Sequence, residues 1–301
     1  MSVKLSICVI TMNRSEQLKE ALESCLACQL PETTEFVIID NASTDNTEDV
    51  VRELMNKSGQ MFHYEKLIEN IGAGAGRNRC FEKSKGEYIY GMDDDAVIDV
   101  DNNPDFFIRA IKIMDDNSSF ATLATQIYDT AWKANRQKIQ GKKISENLYK
   151  CKMFCGGSHF LRRASFVKPP YLSNKYGYEE LPPSLMSYDM GMLNVFCPDL
   201  LVTHKPKIDK WDVKEDKNHE MYISGYASLF AIKKMMYPRI FYPLIFIANK
   251  LRIRRGLSCI PDVNRKCKAM CNYVIENCYV DYKLKIRTVI KLYLDFGLSV
   301  F

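Results

Sequence analysis

The sequence is organised around YIYGMDDDA, residues 88–96, in which an apolar run leads directly into Asp93, Asp94 and Asp95. Such a run predicts a buried strand that ends at three carboxylates. Adjacent ionised acids repel one another, and hard oxygen ligands of this kind suit Mg²⁺ or Mn²⁺. A cation bound there would in turn bind the phosphates of a nucleotide. A solvated acidic turn is the alternative interpretation, and the flanking sequence decides between the two.

The composition is that of an ordinary folded protein, but its charge is unevenly distributed. The chain has 301 residues, 47% hydrophobic and 26% charged, which leaves room for one large α/β domain or two smaller ones. Between Lys233 and Lys291 there are 14 Lys and Arg residues against three acids, a net +11, so the rest of the chain carries −6 of the overall +5. A basic C-terminal region of this kind indicates an anionic surface as its partner.

The sequence shows no targeting or membrane-spanning pattern. Its first residues enter a strand-like run without the architecture of a signal peptide, which favours a cytoplasmic location. The 11 cysteines then indicate reduced thiols, since Cys25-x-x-Cys28 is the only CxxC and no second pair stands at zinc-site spacing. No apolar stretch reaches the ~18 residues of a membrane-spanning helix.

The N-terminal part alternates strand and helix patterns. Leu5–Ile10 predicts a buried parallel strand, and a helical pattern follows the loop Thr11–Arg14. Asn13 and Glu16 have the spacing of a capping box at the start of that helix. A strand–loop–helix start places loop groups at the carboxyl end of the sheet, where open α/β sheets bind ligands.

The second unit repeats this pattern. Glu35–Ile39 predicts a strand, Asp40–Asp45 a polar loop, and a helix begins near Asn46. A carboxylate at the strand's end, as in Asp40, can accept hydrogen bonds from a base N–H or a ribose hydroxyl. The alternative is that Asp40 and Asp45 cap the helix.

A third strand, near residues 61–67, precedes the glycine-rich stretch 70–78. Its glycines do not fit GxGxxG, so a Rossmann dinucleotide site is not expected. Small residues there permit the backbone to approach a ligand closely. Arg77 could bridge phosphate or the acidic triad, or form a surface ion pair. Because strands and helices alternate up to the Tyr88 strand, we expect a mostly parallel sheet.

Four of these segments together resemble the inverting glycosyltransferases of family 2, which have the GT-A fold. They are Ile10–Arg14, Ile39–Asp45, Asn70–Asn78 and Asp93–Asp95. Each is weak alone, whereas four in the family's order and spacing form a strong signal. The resemblance implies an α/β fold of the GT-A type, with a mostly parallel nucleotide-binding sheet flanked by helices and a helical C-terminal extension.

The resemblance extends to about residue 205 and divides the chain. It implies a GT-A catalytic domain over residues 1–210, with a nucleotide-sugar-binding half (1–100) and an acceptor-binding half (101–210). A basic, apolar helical region follows over 211–301. Cys155–Arg163 resembles the glycine-containing strand on the acceptor side of the family's sites.

The general base is expected in the acidic pair of Tyr178–Leu181. The family usually continues with an acid and an apolar residue, whereas this chain has Pro182-Pro183, which implies a different loop geometry. The resemblance therefore leaves the base open between Glu180, which we prefer, and Glu179.

Sugar transfer from a nucleotide diphosphate requires a neutralised leaving group, a base for the acceptor hydroxyl and a donor held in place. The resemblance implies a divalent metal, Mn²⁺ or Mg²⁺, on Asp95 with Asp93 and His204, and displacement with inversion at the anomeric carbon. Asp94 would face the sugar. The residues expected around the donor are Thr11, Asn13, Arg14, Asp40, Asn41, Arg77, Asp93 and Asp94.

The partners follow from this chemistry and from the basic C-terminal region. The acceptor would be a glycan, a lipid-linked oligosaccharide or a peptide side chain, in surface glycan synthesis. Aromatic and aliphatic residues flanked by basic ones predict peripheral contact of residues 221–260 with the inner face of the plasma membrane. The alternatives are a helix packed on the catalytic domain and a homo-oligomer interface. No RNA- or DNA-binding motif accompanies the basic residues, so no nucleic acid is expected.

Two other classes of protein compete with this interpretation. A sugar nucleotidyltransferase usually carries a glycine-rich, basic loop after its first strand, which Thr11–Arg14 does not resemble. A non-catalytic sugar-nucleotide-binding scaffold is kept open by the two prolines. Among the remaining histidines, His159 is a candidate on the acceptor side, and neither His63 nor His219 is given a role.

Overall fold

The computed structural model describes residues 2–207 and 212–301, which form an α/β architecture. The strands are β1 (Leu5–Thr11), β2 (Thr34–Asp40), β3 (Met61–Lys66), β4 (Tyr88–Asp93), β5 (Ala96–Ile98), β6 (Phe120–Asp129), β7 (Ala134–Asn135), β8 (Lys143–Ser145), β9 (Leu148–Lys150), β10 (Ser158–Arg162) and β11 (Leu193–His204). The helices are α1 (Ser15–Ala27), α2 (Thr47–Ser58), α3 (Ala73–Lys83), α4 (Phe106–Asp115), α5 (Leu181–Asp189), α6 (His219–Met236), α7 (Tyr242–Gly256), α8 (Val263–Asn277) and α9 (Ile286–Phe296). The α/β class and the helical C-terminal region are confirmed.

One sheet connects these strands in the order β3-β2-β1-β4-β10-β6-β11-β9-β8. The first four run parallel, as predicted. Beyond β4 the sheet is mixed, because β10 is antiparallel to both of its neighbours while β11 is parallel to β6. Two reversals restore the original direction, so the carboxyl ends of β1, β2, β4, β6 and β11 all lie at one edge of the sheet.

Helices cover both faces of the parallel strands, which explains their continuous apolar runs. Ile7 and Val9 of β1 belong to a fully buried cluster that includes Leu18 and Leu22 of α1. Each fully buried Leu, Ile or Val side chain contributes roughly 1.5–3 kcal/mol relative to an exposed one. This core holds the strand ends that carry the polar residues of the site.

The predicted capping box at the start of α1 is wrong. Asn13 has a positive φ of 53°, and its Oδ1 accepts a hydrogen bond from the backbone N–H of Thr44 at 2.7 Å. The free amide of Ser15 instead donates to Asp45 Oδ2 at 3.1 Å. Asp45 also accepts a hydrogen bond from the Thr47 amide at the start of α2. The side chains therefore tie the loops after β1 and β2 to each other.

The two prolines after the acidic pair open a helix. Pro182 and Pro183 lie in the first turn of α5, where a missing N–H leaves no hydrogen bond unmade. Glu180 is the residue directly before this helix. The proline pair therefore fixes the exit of the chain from the acidic pair.

A second hydrophobic core lies in the C-terminal region. Ala231, Ile232 and Met236 of α6 are buried in it together with Val289 and Leu292 of α9. For α6 the alternative of an apolar helix packed into the protein is therefore the correct one, whereas α7 keeps an exposed apolar face. The predicted domain boundary at residues 210–211 lies outside the described residues. Within the described ranges, no helix combines the length and apolarity needed to cross a membrane.

Candidate active site

A cavity of about 740 Å³ opens at the edge of the sheet where β1, β4 and β11 end. This volume is in the range of small-molecule sites, roughly 300–1,000 Å³. Both predicted halves of the catalytic domain contribute to its walls. The predicted site residues that line it are Thr11, Arg14, Asn41, Arg77, Asp93, Asp94, Asp95, Glu179, Glu180 and His204.

Asp93, Asp95 and His204 form a cluster with the chemistry of a metal site. One ligand atom from each lies within 4.8 Å of the others. His204 Nε2 lies 2.9 Å from Asp95 Oδ1, a carboxylate oxygen that is buried and lacks a well-aligned hydrogen bond within the described chain. A cation would satisfy this oxygen, and carboxylates suit Mg²⁺ and Mn²⁺. The donor set therefore fits the expected metal.

The end of β1 and the loop after it contact Asp94 and Asp95, the second and third acids of the triad. Thr11 Oγ1 donates to Asp94 Oδ2 at 2.8 Å, and Arg14 Nη1 donates to Asp94 Oδ1 and Asp95 Oδ2 at 2.9 and 3.0 Å. Burial nevertheless raises the pKa of Asp94 to about 6, with Arg14 opposing the shift and Asp95 adding to it. Asp94 is thus held by Thr11 and Arg14, while Asp93 and Asp95 belong to the cluster with His204 that could hold a metal.

Arg77 is a buried cation between two acidic groups. Its Nη2 donates to Asp93 Oδ1 at 2.7 Å, and its Nε lies 3.9 Å from Glu179 Oε1. Burial opposes its charge, but Asp93 and Glu179 more than offset this and raise the pKa of Arg77. Burial likewise opposes ionisation of Asp93, yet Arg77 and His204 hold the pKa of Asp93 below its ordinary value. Arg77 therefore keeps Asp93 ionised.

Glu180 differs from Glu179 in its partners. Burial, followed by the charge of Glu179, raises the pKa of Glu180 to about 8. No cation of the described chain lies within ion-pair distance of Glu180, whereas Glu179 pairs with Arg77. A Cβ on Gly156 would overlap Glu180 Oε1, so the glycine makes the space for this carboxyl. Glu180 is thus the acid of the pair without a cationic partner, and a carboxylate of raised pKa takes a proton more readily.

His159 has a structural environment. It is fully buried, with Nε2 2.6 Å from the Tyr171 hydroxyl and Nδ1 3.0 Å from the carbonyl oxygen of Gly156. Burial lowers the pKa of His159 to about 3, so the ring is neutral. It does not line the cavity, and its contact with Gly156 places the segment next to Glu180.

Sequence reasoning missed Asp129, the last residue of β6. This fully buried carboxylate lies 3.1 Å from His204 Nδ1 through Oδ2, which also accepts a hydrogen bond from Arg136 Nε at 2.7 Å. Its Oδ1 accepts the backbone N–H of Trp132 at 2.8 Å. Arg136 and Trp132 also line the cavity. An acid at the end of an apolar strand was the available signal, the same one that identified Asp93.

Two of the residues predicted to contact the sugar-nucleotide donor do not line the cavity. Asp40 is fully buried, and its carboxylate accepts hydrogen bonds from the Ser43 amide and the Tyr64 hydroxyl at 2.7 and 2.6 Å. Asn13 is turned to Thr44. Neither residue lines the cavity, so their contact with a donor stays a prediction. Asn41 does line it, and its buried Oδ1 has no hydrogen-bond partner within the described chain.

The glycines before and in α3 leave room for the backbone of residues 172–175. Gly72 has a φ of 86°, and a Cβ there would lie 2.7 Å from Lys175 Cα. A Cβ on Gly74 would overlap the carbonyl oxygen of Leu172. The expected close approach is therefore made by the segment that leads to the acidic pair. It sets the distance between Arg77 and Glu179.

Known proteins resemble this chain in sequence or in fold. The chain is 29% identical over 149 residues to the poly(ribitol-phosphate) beta-glucosyltransferase of Bacillus spizizenii, an alignment that covers 49% of this chain and 21% of that protein. The chain thus spans about a fifth of that relative's length.

Two solved structures resemble nearly the whole chain. Residues 1–349 of S. aureus TarS in complex with UDP-GlcNAc match with a TM-score of 0.66 at 16% identity, covering 99% of this chain and 90% of that one. GalNAc-T7 with UDP, GalNAc and Mn²⁺ matches with a TM-score of 0.63 at 11% identity, covering 99% and 58%. These matches confirm the GT-A fold.

The family is decided by the sequence itself. The family model described as glycosyl transferase family 2 matches residues 6–168. These include the loop after β1, the acidic triad Asp93–Asp95 and the adjacent glycines Gly156 and Gly157. Because this match covers more than half of its length, the chain belongs to glycosyl transferase family 2.

Proposed function

We propose that this chain is an inverting glycosyltransferase that moves a sugar from a nucleotide-diphosphate sugar to an acceptor hydroxyl. The observation that carries the proposal is one cavity in which a metal-type cluster and an unpaired carboxyl face adjacent glycines. A Cβ on Gly157 would lie 2.8 Å from Asp93 Oδ2, and one on Gly156 would overlap Glu180. The cluster suits a diphosphate, and the carboxyl suits a hydroxyl that must lose its proton.

On the donor side, Asp93, Asp95 and His204 would hold a Mn²⁺ or Mg²⁺ ion. When bound, such a cation would neutralise the leaving diphosphate as a Lewis acid. The structure of GalNAc-T7, which was solved with UDP and Mn²⁺, supports this assignment. Arg14 lies within reach of the same acids and would contact the phosphates, while Asn41 presents an unpartnered amide oxygen to the nucleoside.

On the acceptor side, Glu180 would accept the proton of the attacking hydroxyl. Attack from the face of the sugar opposite the diphosphate gives inversion at the anomeric carbon. Arg77 would keep Asp93 ionised and pair with Glu179 beside Glu180, which holds the metal ligand and the acidic pair in position. Neutralising the leaving diphosphate and accepting the proton would both be strongest in the transition state, which lowers the barrier.

The acceptor would be a surface glycan or a lipid-linked oligosaccharide. The name of the Bacillus relative, a glycosyltransferase that acts on a poly(ribitol-phosphate), supports a surface polymer. The basic C-terminal region supports a peripheral position at the inner face of the plasma membrane.

The test is thermal unfolding with UDP, GDP, dTDP and CDP, each with and without Mn²⁺. A ligand that binds only the folded state must raise the melting temperature, by RT ln(1 + [L]/Kd) in free energy. We expect a metal-dependent shift with one diphosphate, and turnover with the corresponding sugar nucleotide.

Three variants separate the roles. Asp95→Ala should lose the metal-dependent shift, and Glu180→Gln should keep the shift but lose turnover. Asp101→Asn, at an exposed acid, serves as the matched control and should change neither. A shift without turnover in the wild type would support the non-catalytic scaffold, and turnover in both site variants would contradict the assignment.

A further inference from the structure

Helix α7 has an exposed apolar stripe. Leu244, Ile247 and Leu251 are spaced i, i+3 and i+7, and Ile240 lies one turn before them. Their side chains are 44–70% exposed, although they are large and apolar. The opposite side of α7 is anchored by the buried Ile245 and Ile253. The helix is therefore fixed to the protein while this stripe faces solvent.

Helix α9, which lies in the basic region 211–301 but beyond residues 221–260, repeats the arrangement. Ile286, Ile290 and Leu294 are spaced i, i+4 and i+8, and Leu298 follows one turn later. These four side chains are 47–74% exposed. Its other side, with Val289 and Leu292, is fully buried.

The two helices contact the same residue, Phe301. The ring of Phe301 lies 5.8 Å from that of Phe241, which directly precedes α7, and 6.0 Å from that of Tyr293 in α9. Arg252 of α7 also donates to the carbonyl oxygen of Phe301 at 2.8 Å. We define the α7–α9 surface as Ile240, Leu244, Ile247, Leu251, Ile286, Ile290, Leu294 and Leu298.

Exposed basic side chains accompany both stripes. Among the described residues, those near the α7–α9 surface that are exposed and have no acidic side chain within ion-pair distance are Arg239, Lys250, Arg254, Arg255, Arg287 and Lys291. They belong to the segment from Lys233 to Lys291, which carries 14 basic residues and three acids. Apolar stripes with unpaired cations at their margins are typical of helices that lie in the surface of an anionic bilayer.

We propose that the α7–α9 surface binds an anionic lipid bilayer peripherally, with α7 and α9 lying in its interface. This inference deepens the proposed function, on which its biological role rests, and replaces residues 221–260 by two helices that exclude α6. A second copy of the chain is a less favourable partner for this surface than a bilayer. A two-fold contact through this surface would bring two regions of net +11 together, and like charges oppose such association.

The surface is connected to the cavity through one helix. Gly177 and Met221 line the cavity, and a Cβ on Gly177 would lie 2.9 Å from Gly225 Cα of α6. On α7, Gly256 packs against the Tyr226 hydroxyl of α6 so closely that a Cβ would overlap it. The axes of packed helices lie about 8–10 Å apart. Helix α6 thus links α7 to the cavity, where a lipid-linked acceptor would be used.

The experiment is flotation of the full chain with vesicles of phosphatidylcholine alone or mixed with phosphatidylglycerol. We expect binding to the mixed vesicles only, weakened by high salt. The double variant Ile247→Glu/Leu294→Glu should lower the partition coefficient by at least about tenfold, because two apolar anchors are lost and two like charges face the lipid. Val167→Glu, at a fully exposed apolar position away from these helices, is the matched control and should bind like the wild type.

Three results would overturn the proposal. The first is equal binding of both vesicle types, and the second is unchanged binding of the double variant. The third is a lack of vesicle binding, whether or not sedimentation equilibrium shows a dimer that the double variant loses. Hydrolysis of the donor in solution, measured on the same variants, reports the proposed function separately and should be unchanged in all of them.

Discussion

At the scale of single residues, the cavity gives two neighbouring acids opposite properties. Asp93 and Glu180 are both partly buried, which by itself disfavours their charge. Arg77 donates directly to Asp93 and holds its pKa down, whereas Glu180 faces the added negative charge of Glu179 and its pKa rises to about 8. Asp93 is thereby suited to binding a cation, and Glu180 is suited to accepting a proton.

The pH dependence of activity tests this difference. As the pH rises through about 8, Glu180 loses its proton, so kcat/KM should increase over this range. Glu180→Gln should lower kcat by about 10²–10⁴-fold and abolish the increase. The second variant is Glu179→Gln, because removing the charge of Glu179 should move the midpoint of the kcat/KM profile to lower pH. An unmoved midpoint in Glu179→Gln would show that another group titrates.

At the scale of elements, strand register assembles the site. β6 and β11 pair in parallel with Asp129 opposite His204, and β11 pairs with β5 so that His204 lies opposite Ala96. The acid behind the histidine and the acids in front of it are thus set by backbone hydrogen bonds of the sheet. A shift of one residue would turn these side chains to the other face.

This register predicts a positioning role for Asp129. Its Oδ2 lies 3.1 Å from His204 Nδ1, within ion-pair distance but without a well-aligned hydrogen bond, and His204 Nε2 lies 2.9 Å from Asp95. A carboxylate beside a ligating histidine orients its ring, and loss of such a partner costs about 10–100-fold in metal affinity or activity. We expect Asp129→Asn to weaken Mn²⁺ binding by about tenfold, measured by electron paramagnetic resonance of free Mn²⁺. Asp101→Asn again serves as the control, and a loss of stability with unchanged Mn²⁺ affinity would limit Asp129 to the fold.

The sequence predicted the strands and helices of the N-terminal part and, through the resemblance, most of the residues that line the cavity. Apolar runs predicted β1, β2 and β4, whereas the grouping of Thr11, Asp93 and Arg77 followed from the resemblance. Asn13 was misread because its left-handed backbone, which turns the side chain to Thr44, leaves no trace in local spacing. Asp129 carries the signal of an acid at the end of an apolar strand, but its place beside His204 follows from a register that only the folded sheet defines.

At the scale of the whole molecule, α5 connects the two cores. It begins directly after Glu180 and ends at Asp189, whose Oδ1 accepts hydrogen bonds from the Lys285 amide and the Thr288 hydroxyl at 2.8 and 2.6 Å. Tyr282 donates to Oδ2 at 3.0 Å. One helix thus carries the proposed base at one end and the anchor of α9 at the other.

Asp189→Ala should therefore affect stability, lipid binding and turnover together. Removing the carboxylate leaves three donors without this acceptor. The Thr288 hydroxyl is only 4% exposed, and leaving such a buried donor unpaired costs about 1–3 kcal/mol of unfolding free energy, whereas Lys285 and Tyr282 are within reach of water. Asp189→Asn keeps one acceptor oxygen and should lose less. Burial opposes the charge of Asp189, but Thr288 and the Lys285 amide hold its pKa below the ordinary value. The stabilisation from ionised Asp189 is therefore present above about pH 4 and lost as the pH falls further.

Urea unfolding at pH 7 and pH 3 measures this effect. The difference between wild type and Asp189→Ala should be largest at pH 7 and smaller in acid, and Asp189→Asn should lie between the two at pH 7. Because α9 contributes half of the α7–α9 surface, vesicle binding of Asp189→Ala should fall, and kcat should fall as the start of α5 loosens. If stability drops while vesicle binding and kcat both stay at their wild-type values, α5 holds the two cores together without transmitting position to either site.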